Sequence, residues 1–142
     1  MAETILIVDD ELDMLELLEL IILDKTRYRV STTNNPLEAL QMLANQSFDL
    51  LITDLRMPAL GGLEVIREVR EKYPDLPVIV ITAYGSSESA EEAIRAGAYD
   101  YITKPFRKEH ILISIERAME WRKMKRELAA LKKTGPTSAP AG

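Results

Sequence analysis

Ile5-Leu6-Ile7-Val8 is an unbroken apolar run, and Asp9-Asp10-Glu11 closes it with three acids in a row. An apolar stretch of strand length without alternation fits a strand covered on both faces, as in a parallel sheet. Working outward, a helical pattern follows each further run of this kind. Leu12, Leu15, Leu18 and Ile22 form a stripe over about 11–24, and Tyr28 to Thr33 alternates like a strand nearer an edge. Pro36 suits a first helical turn capped by Asn35, ahead of Leu37, Leu40 and Leu43. Leu50-Leu51-Ile52-Thr53 predicts a third strand, and Leu63 to Lys72 a third helix ended by Tyr73-Pro74. Val78-Ile79-Val80-Ile81 predicts a fourth strand, followed by a helix from about Ser86 to Ala96 that Gly97 stops. Tyr99 to Thr103 reads as a fifth strand, and a long helix runs from about Arg107 to Lys133.

Five strand–helix units with apolar central strands imply an α/β fold, a parallel sheet with helices on both faces. Of the common doubly wound orders, five strands in this length favour the flavodoxin-like order 2-1-3-4-5. The expected division is a compact domain over 1–119, a helical extension over 120–133 and a disordered tail over 134–142. The tail is assigned on its Pro, Gly, Ser and Ala content.

A chain of 142 residues, 46% hydrophobic and 29% charged, has the composition of a soluble domain able to bury a core. It has no cysteine, which excludes disulfides and thiolate metal sites. No apolar run reaches the roughly 20 residues of a membrane helix, and the N-terminus lacks the basic flank of a signal peptide. A cytoplasmic location without membrane contact is expected. The net charge of −5 is uneven: 9 basic and 19 acidic side chains over 1–106, then 9 basic and 4 acidic over 107–133. Glu109, Glu116, Glu120 and Glu127 interrupt the basic run, which favours a solvated helix face over a nucleic-acid-binding surface.

In a doubly wound sheet, ligands sit beyond the carboxyl ends of the strands, near the switch in strand order. There the chain places Asp9 and Asp10 after strand 1, Asp54 after strand 3, Thr82 at the end of strand 4 and Thr103-Lys104-Pro105 after strand 5. Carboxylates gathered closely repel and must protonate or recruit cations. Lys104 supplies one positive charge, and a hard divalent ion such as Mg²⁺ would supply two more. A carboxylate, a metal, a lysine and a hydroxyl together suit phosphoryl transfer: the carboxylate attacks phosphorus while the others hold the equatorial oxygens. Singly, each residue fits a plain structural role, such as Asp10 capping the first helix. Their joint placement argues for the site.

These stretches resemble the receiver domains of bacterial two-component response regulators over about Thr4 to Met119. The marks are Ile7-Val8-Asp9-Asp10-Glu11, Thr53-Asp54-Leu55-Arg56-Met57-Pro58, Gly62, Ile81-Thr82-Ala83, Gly97-Ala98 and Lys104-Pro105-Phe106. The resemblance implies that Asp54 accepts a phosphoryl group from a sensor histidine kinase. It implies Mg²⁺ bound by Asp10, Asp54 and the main-chain carbonyl of Arg56, with Asp9 acting mostly through water. Thr82 and Lys104 would hold the phosphoryl oxygens. Thr82 drawn inward would let Tyr101 turn in behind it and change the face made by helix 4, strand 5 and helix 5. Ala83 is small, as access to the aspartate requires, and Arg56 and Tyr84 occupy positions resembling those that tune dephosphorylation. Lys104-Pro105 resembles the family's cis junction. The chain is thus expected to be a signalling switch rather than an enzyme acting on other molecules.

Other features read as structural. Gly61-Gly62 permits a turn beside Asp54, no Gly-rich phosphate loop supports nucleotide binding, and His110 reads as a helix-surface residue. Past Met119, Trp121, Met124, Leu128 and Leu131 fall at 3-4-3 spacing, a seam of under two heptads. It favours a homodimer or output-coupling helix over an inert linker. The helix 4–strand 5–helix 5 face is the other candidate dimer surface. This tail and Asp54-Leu55-Arg56-Met57-Pro58 resemble the nitrogen-regulatory and dicarboxylate-transport type transcription activators, whose ATPase and DNA-binding parts are not in these residues. Two rival readings stand beside the switch: an aspartyl-nucleophile phosphatase of the dehalogenase type, which wants an acid where Arg56 stands, and a purely structural doubly wound module.

Overall fold

The computed structural model describes residues 2–57, 60–83 and 86–138. Five strands alternate with five helices: β1 (Thr4–Val8), α1 (Leu12–Lys25), β2 (Arg29–Thr33), α2 (Pro36–Asn45), β3 (Leu50–Thr53), α3 (Gly62–Lys72), β4 (Val78–Thr82), α4 (Ser87–Ala96), β5 (Asp100–Thr103) and α5 (Lys108–Ser138). All strand pairs are parallel and the sheet order is β2-β1-β3-β4-β5, the flavodoxin-like order expected.

Period-2 alternation splits each central strand between two cores. Ile5 and Ile7, Leu50 and Ile52, Ile79 and Ile81, and Ile102 face Leu15, Leu18 and Ile22 of α1 and Ile111, Ile115 and Met119 of α5. Leu6 and Val8, Leu51, and Val78 and Val80 face the other way, onto Leu43 of α2, Val65, Ile66 and Val69 of α3 and Ala93 of α4. Burying a large aliphatic side chain stabilises by about 1.5–3 kcal/mol, so covering both faces makes the strand register hard to slip.

The helix ends follow local chemistry. Asn35 caps α2 by accepting from Leu37 N–H at 2.9 Å, and Ser86 caps α4 by accepting from Ser89 N–H at 3.0 Å. Gly97 ends α4 at φ 119°, a left-handed conformation that a side chain would strain. The Lys104-Pro105 bond is cis. No helix among the described residues is long and apolar enough to cross a membrane.

Helix α5 ends at Ser138 rather than Lys133, so part of the segment expected to be irregular is helical, while 139–142 lie outside the described residues. Composition argued otherwise, but extending an existing helix needs no new nucleation. Two residues moor α5 beneath the sheet. Arg122 is 8% exposed; it donates to Phe48 O at 3.3 Å and lies 3.4 Å from Asp49 Oδ1, whose other oxygen accepts from Thr4 N–H. Trp121 lies against Tyr99 (ring centroids 5.8 Å), with Arg70 and Lys125 over its ring. Trp121 therefore belongs to the body, and the exposed apolar stripe starts at Met124 and continues through Leu128 and Leu131.

The α3 start is built on a close approach to the β3 end. A Cβ on Gly62 would lie 2.4 Å from Asp54 O and 2.8 Å from Leu55 Cα, both main-chain atoms, whereas one on Gly61 would meet only the mobile end of Glu64 at 2.7 Å. Gly62→Ala is expected to lower the unfolding free energy by about 1–3 kcal/mol, and Gly61→Ala by well under that. Urea denaturation of the two variants checks the difference.

Candidate functional site

The rim beyond β1, β3 and β5 continues the alternation of the strands beneath it. Asp9 follows Ile7, Asp54 follows Ile52 and Lys104 follows Ile102, so all three carry on the α1/α5 face. The ladder continues beyond the strands: Asp54 N–H donates to Val8 O at 3.1 Å and Lys104 N–H to Thr82 O at 2.9 Å. These main-chain bonds fix where the side chains start.

The two aspartates are held alike. Asp9 Oδ1 accepts from Glu11 N–H at 2.9 Å, and Asp54 Oδ1 accepts from Arg56 N–H at 3.3 Å, each two residues on in its own chain. Their second oxygens both accept from Lys104 Nζ, at 3.1 Å for Asp9 and 3.3 Å for Asp54. Glu11 Oε1 takes a third bond from the same ammonium at 3.2 Å. A lysine ammonium has three donors, and here each has a carboxylate.

Asp9 is 2% and Asp54 4% exposed, so the charges are largely cut off from water. Burial pushes the Asp9 carboxyl above its usual range, against the opposing pull of Glu11 N–H and Lys104. Burial also draws the Lys104 amine down, but Asp54, Asp9 and Glu11 together outweigh it and hold the amine above its usual range. Lysine here stays charged.

Asp10 departs from expectation. The carboxylates within 4.8 Å of one another belong to Asp9, Glu11 and Asp54, while Asp10 is exposed and outside that group. Alternation explains the difference, since Asp10 follows Val8 on the opposite face from Ile7 and Asp9. The Asx-type turn closed by Asp9 Oδ1 then brings Glu11 back over the site. Glu11 stands in the quoted acidic run, but its place was not legible there; an acid two residues after a turn-forming aspartate is the signal.

Thr82 is fully buried at the end of β4, on the strand face of Val78 and Val80. Tyr101 is half-buried and packs against that same core. Ala83 and Arg56 are exposed at the rim. Tyr84 and Pro58 lie outside the described residues. His110 is exposed on α5, as expected of a surface residue.

Three carboxylates facing one ammonium leave two uncompensated negative charges on hard oxygen donors, a set that fits a divalent cation preferring oxygen. Without such an ion Lys104 alone offsets the repulsion. Lys104→Met is expected to lower the unfolding free energy by about 3–5 kcal/mol in chelator-treated buffer at pH 7. Adding Asp54→Asn to that variant should recover part of the loss, because it removes one of the repelling charges; urea titrations of both variants read this out.

The receiver-domain model of response regulators matches residues 5–116. Response regulator protein PilR from Pseudomonas aeruginosa is 45% identical over 100 residues, covering 70% of this chain and 22% of that protein. The crystal structure of NtrX from Brucella abortus with ADP superposes at a TM-score of 0.85 with 38% identity, covering 95% of this chain and 30% of that one. The solution structure of the beryllofluoride-activated NtrC4 receiver domain dimer matches at 0.80 with 34% identity, covering 84% of this chain and 98% of that one. The match spans 22% of PilR's length, so the chain corresponds to only part of that protein. With the sheet order, the acidic rim and the central lysine as described, the chain belongs to the response regulator receiver domain family, whose members act as signalling switches.

Proposed function

We propose that this domain is phosphorylated on Asp54 by a sensor histidine kinase in the presence of Mg²⁺, and that the modification changes the face made by α4, β5 and α5. The observation that carries this is the Lys104 ammonium bonded at once to Asp9 and Asp54. One Asp54 oxygen attacks the phosphorus of a phosphohistidine; the bond to the donor nitrogen breaks and the imidazole leaves with the electron pair. Asp54 exchanges its carboxylate charge for an acyl phosphate carrying about two negative charges and three acceptor oxygens. Lys104 can then turn from the carboxylate to a phosphoryl oxygen, and the Thr82 hydroxyl can hold another.

Bound Mg²⁺ would neutralise phosphoryl charge and orient its oxygens. Asp54 and Asp9, with Asp10 and the Arg56 carbonyl as the resemblance implies, would hold it; the geometry adds Glu11 as a candidate through water or directly. Drawing Thr82 toward the phosphoryl group would open space beside Tyr101, which already packs on the same core face. Turning that ring further in is the proposed switch.

Dimerisation through the α4–β5–α5 face or the free stripe of α5 is the proposed output. The stripe of Met124, Leu128 and Leu131 is exposed along one side of a helix that outruns the body. By likeness to the transcriptional regulatory protein ZraR and the DNA-binding transcriptional regulator NtrC, the domain would serve a transcriptional regulator. DNA binding is not assigned to these residues.

Incubation with Mg²⁺ and acetyl phosphate should add one labile phosphoryl group per chain by intact mass, with none on Asp54→Asn. Rapid multiple turnover of general phosphate esters would instead favour the phosphatase reading, and no modification would leave a structural module. Truncation after Lys125, which keeps Trp121 and the Arg122 mooring, should abolish self-association in sedimentation if the stripe forms the dimer. Equal self-association would exclude it.

A further inference from the structure

At the end of the sheet away from Asp54, a half-open cavity of about 230 Å³ lies between the α2–β3 connection, the α3–β4 connection and α5. Leu43, Phe48 and Leu76 give it an apolar floor; each is about 5% exposed or less. Its wall carries Arg122 and Arg126, one helical turn apart, with Asp75 opposite. Among the described residues, the buried side-chain nitrogens without a hydrogen-bond partner are Arg70 Nε and Arg122 Nε; Arg122 lines this cavity, and Arg70 bonds the carbonyls of the α3–β4 connection. Buried polar atoms are almost always satisfied, so the orphan on Arg122 marks a guanidinium of the cavity wall with a donor to spare.

On the cavity lining the guanidiniums of Arg122 and Arg126 stand against one acid, Asp75, while Asp49 and Glu3 bear on Arg122 from outside it. Arg70 is already committed to the carbonyls of Tyr73, Pro74 and Leu76. Arg122 makes one hydrogen bond, to Phe48 O, and an ion pair to Asp49 at 3.4 Å, while Arg126 is exposed at the cavity edge. A forked guanidinium suits a carboxylate, which can take two parallel hydrogen bonds. The volume is below the roughly 300–1,000 Å³ of sites for drug-sized ligands, so the occupant must be small.

We infer that this cavity binds a small organic monocarboxylate, its acid group on Arg122 and Arg126 and its apolar part on Leu43, Phe48 and Leu76. A ligand so held bridges α5 to both connections and so tightens the mooring of the long helix. The site is separate from the phosphoacceptor rim and does not depend on its chemistry.

The test is titration of the whole chain with benzoate at constant ionic strength, followed by amide ¹H–¹⁵N shifts, with benzamide as the neutral counterpart. Saturable shifts in the millimolar range at Gln46, Ser47 and Leu76 are expected with benzoate and not with benzamide. Arg126→Ala, an exposed position whose loss leaves the core intact, should weaken benzoate by about tenfold. Equal responses to both compounds, shifts confined to the Asp54 rim, no saturation, or unchanged affinity in Arg126→Ala would each overturn the assignment.

Discussion

Lys104 Nζ stands between Asp9, Glu11 and Asp54, and the rest of the molecule can be understood as what holds that arrangement together. Three carboxylates with one ammonium, two of them almost wholly buried, would be unfavourable in isolation. The arrangement persists because main-chain hydrogen bonds to Val8 and Thr82 position Asp54 and Lys104 before any side chain is placed. The spare aspartate oxygens are satisfied by the chain two residues on. What remains is charge of one sign on hard oxygens, a set of donors that fits a divalent cation.

The two faces of the sheet give that site two kinds of neighbour. Asp9, Asp54 and Lys104 lie over the core shared with α1 and α5, while Thr82 and Tyr101 continue the core shared with α2, α3 and α4. Thr82 at the end of β4 thus stands on the opposite sheet face from Asp9, Asp54 and Lys104. On the other side, Ser114 of α5 donates to Asp100 Oδ2 at 2.6 Å, tying α5 to β5. At the far end Arg122 and Trp121 tie the same helix to the starts of β3 and β5, so α5 is fastened along its length before it leaves the body.

The fold was legible because the central strands are covered on both faces, which leaves unbroken apolar runs too short for helices. The Asn35 cap, Gly97 and the cis Lys104-Pro105 junction were legible from residue type and resemblance. Apart from the end of α5, strand and helix edges differ by about a residue, as frayed ends do. The convergence of Asp9, Asp54 and Lys104 was legible from the polar residues that close the strands. The nearness of Glu11 was not, because it arises from the turn after Asp9 that carries the chain back over the site. The Arg122–Asp49 pair and the Arg70 and Tyr99 contacts of Trp121 had no signal in spacing, since their members are far apart along the chain.

Sequence alone determined the order of elements, which residues face inward and which polar groups close each strand, because these depend on local periodicity and on residues that stop a strand or helix. It also carried the family likeness. Tertiary structure decided which acids share one ammonium, that Trp121 and Arg122 belong to the body rather than to the free helix, and that, among the described residues, two guanidinium nitrogens are buried without partners. Those outcomes depend on separations of a few ångströms between segments that meet only when the sheet is assembled, and electrostatic and hydrogen-bond energies change steeply over such distances.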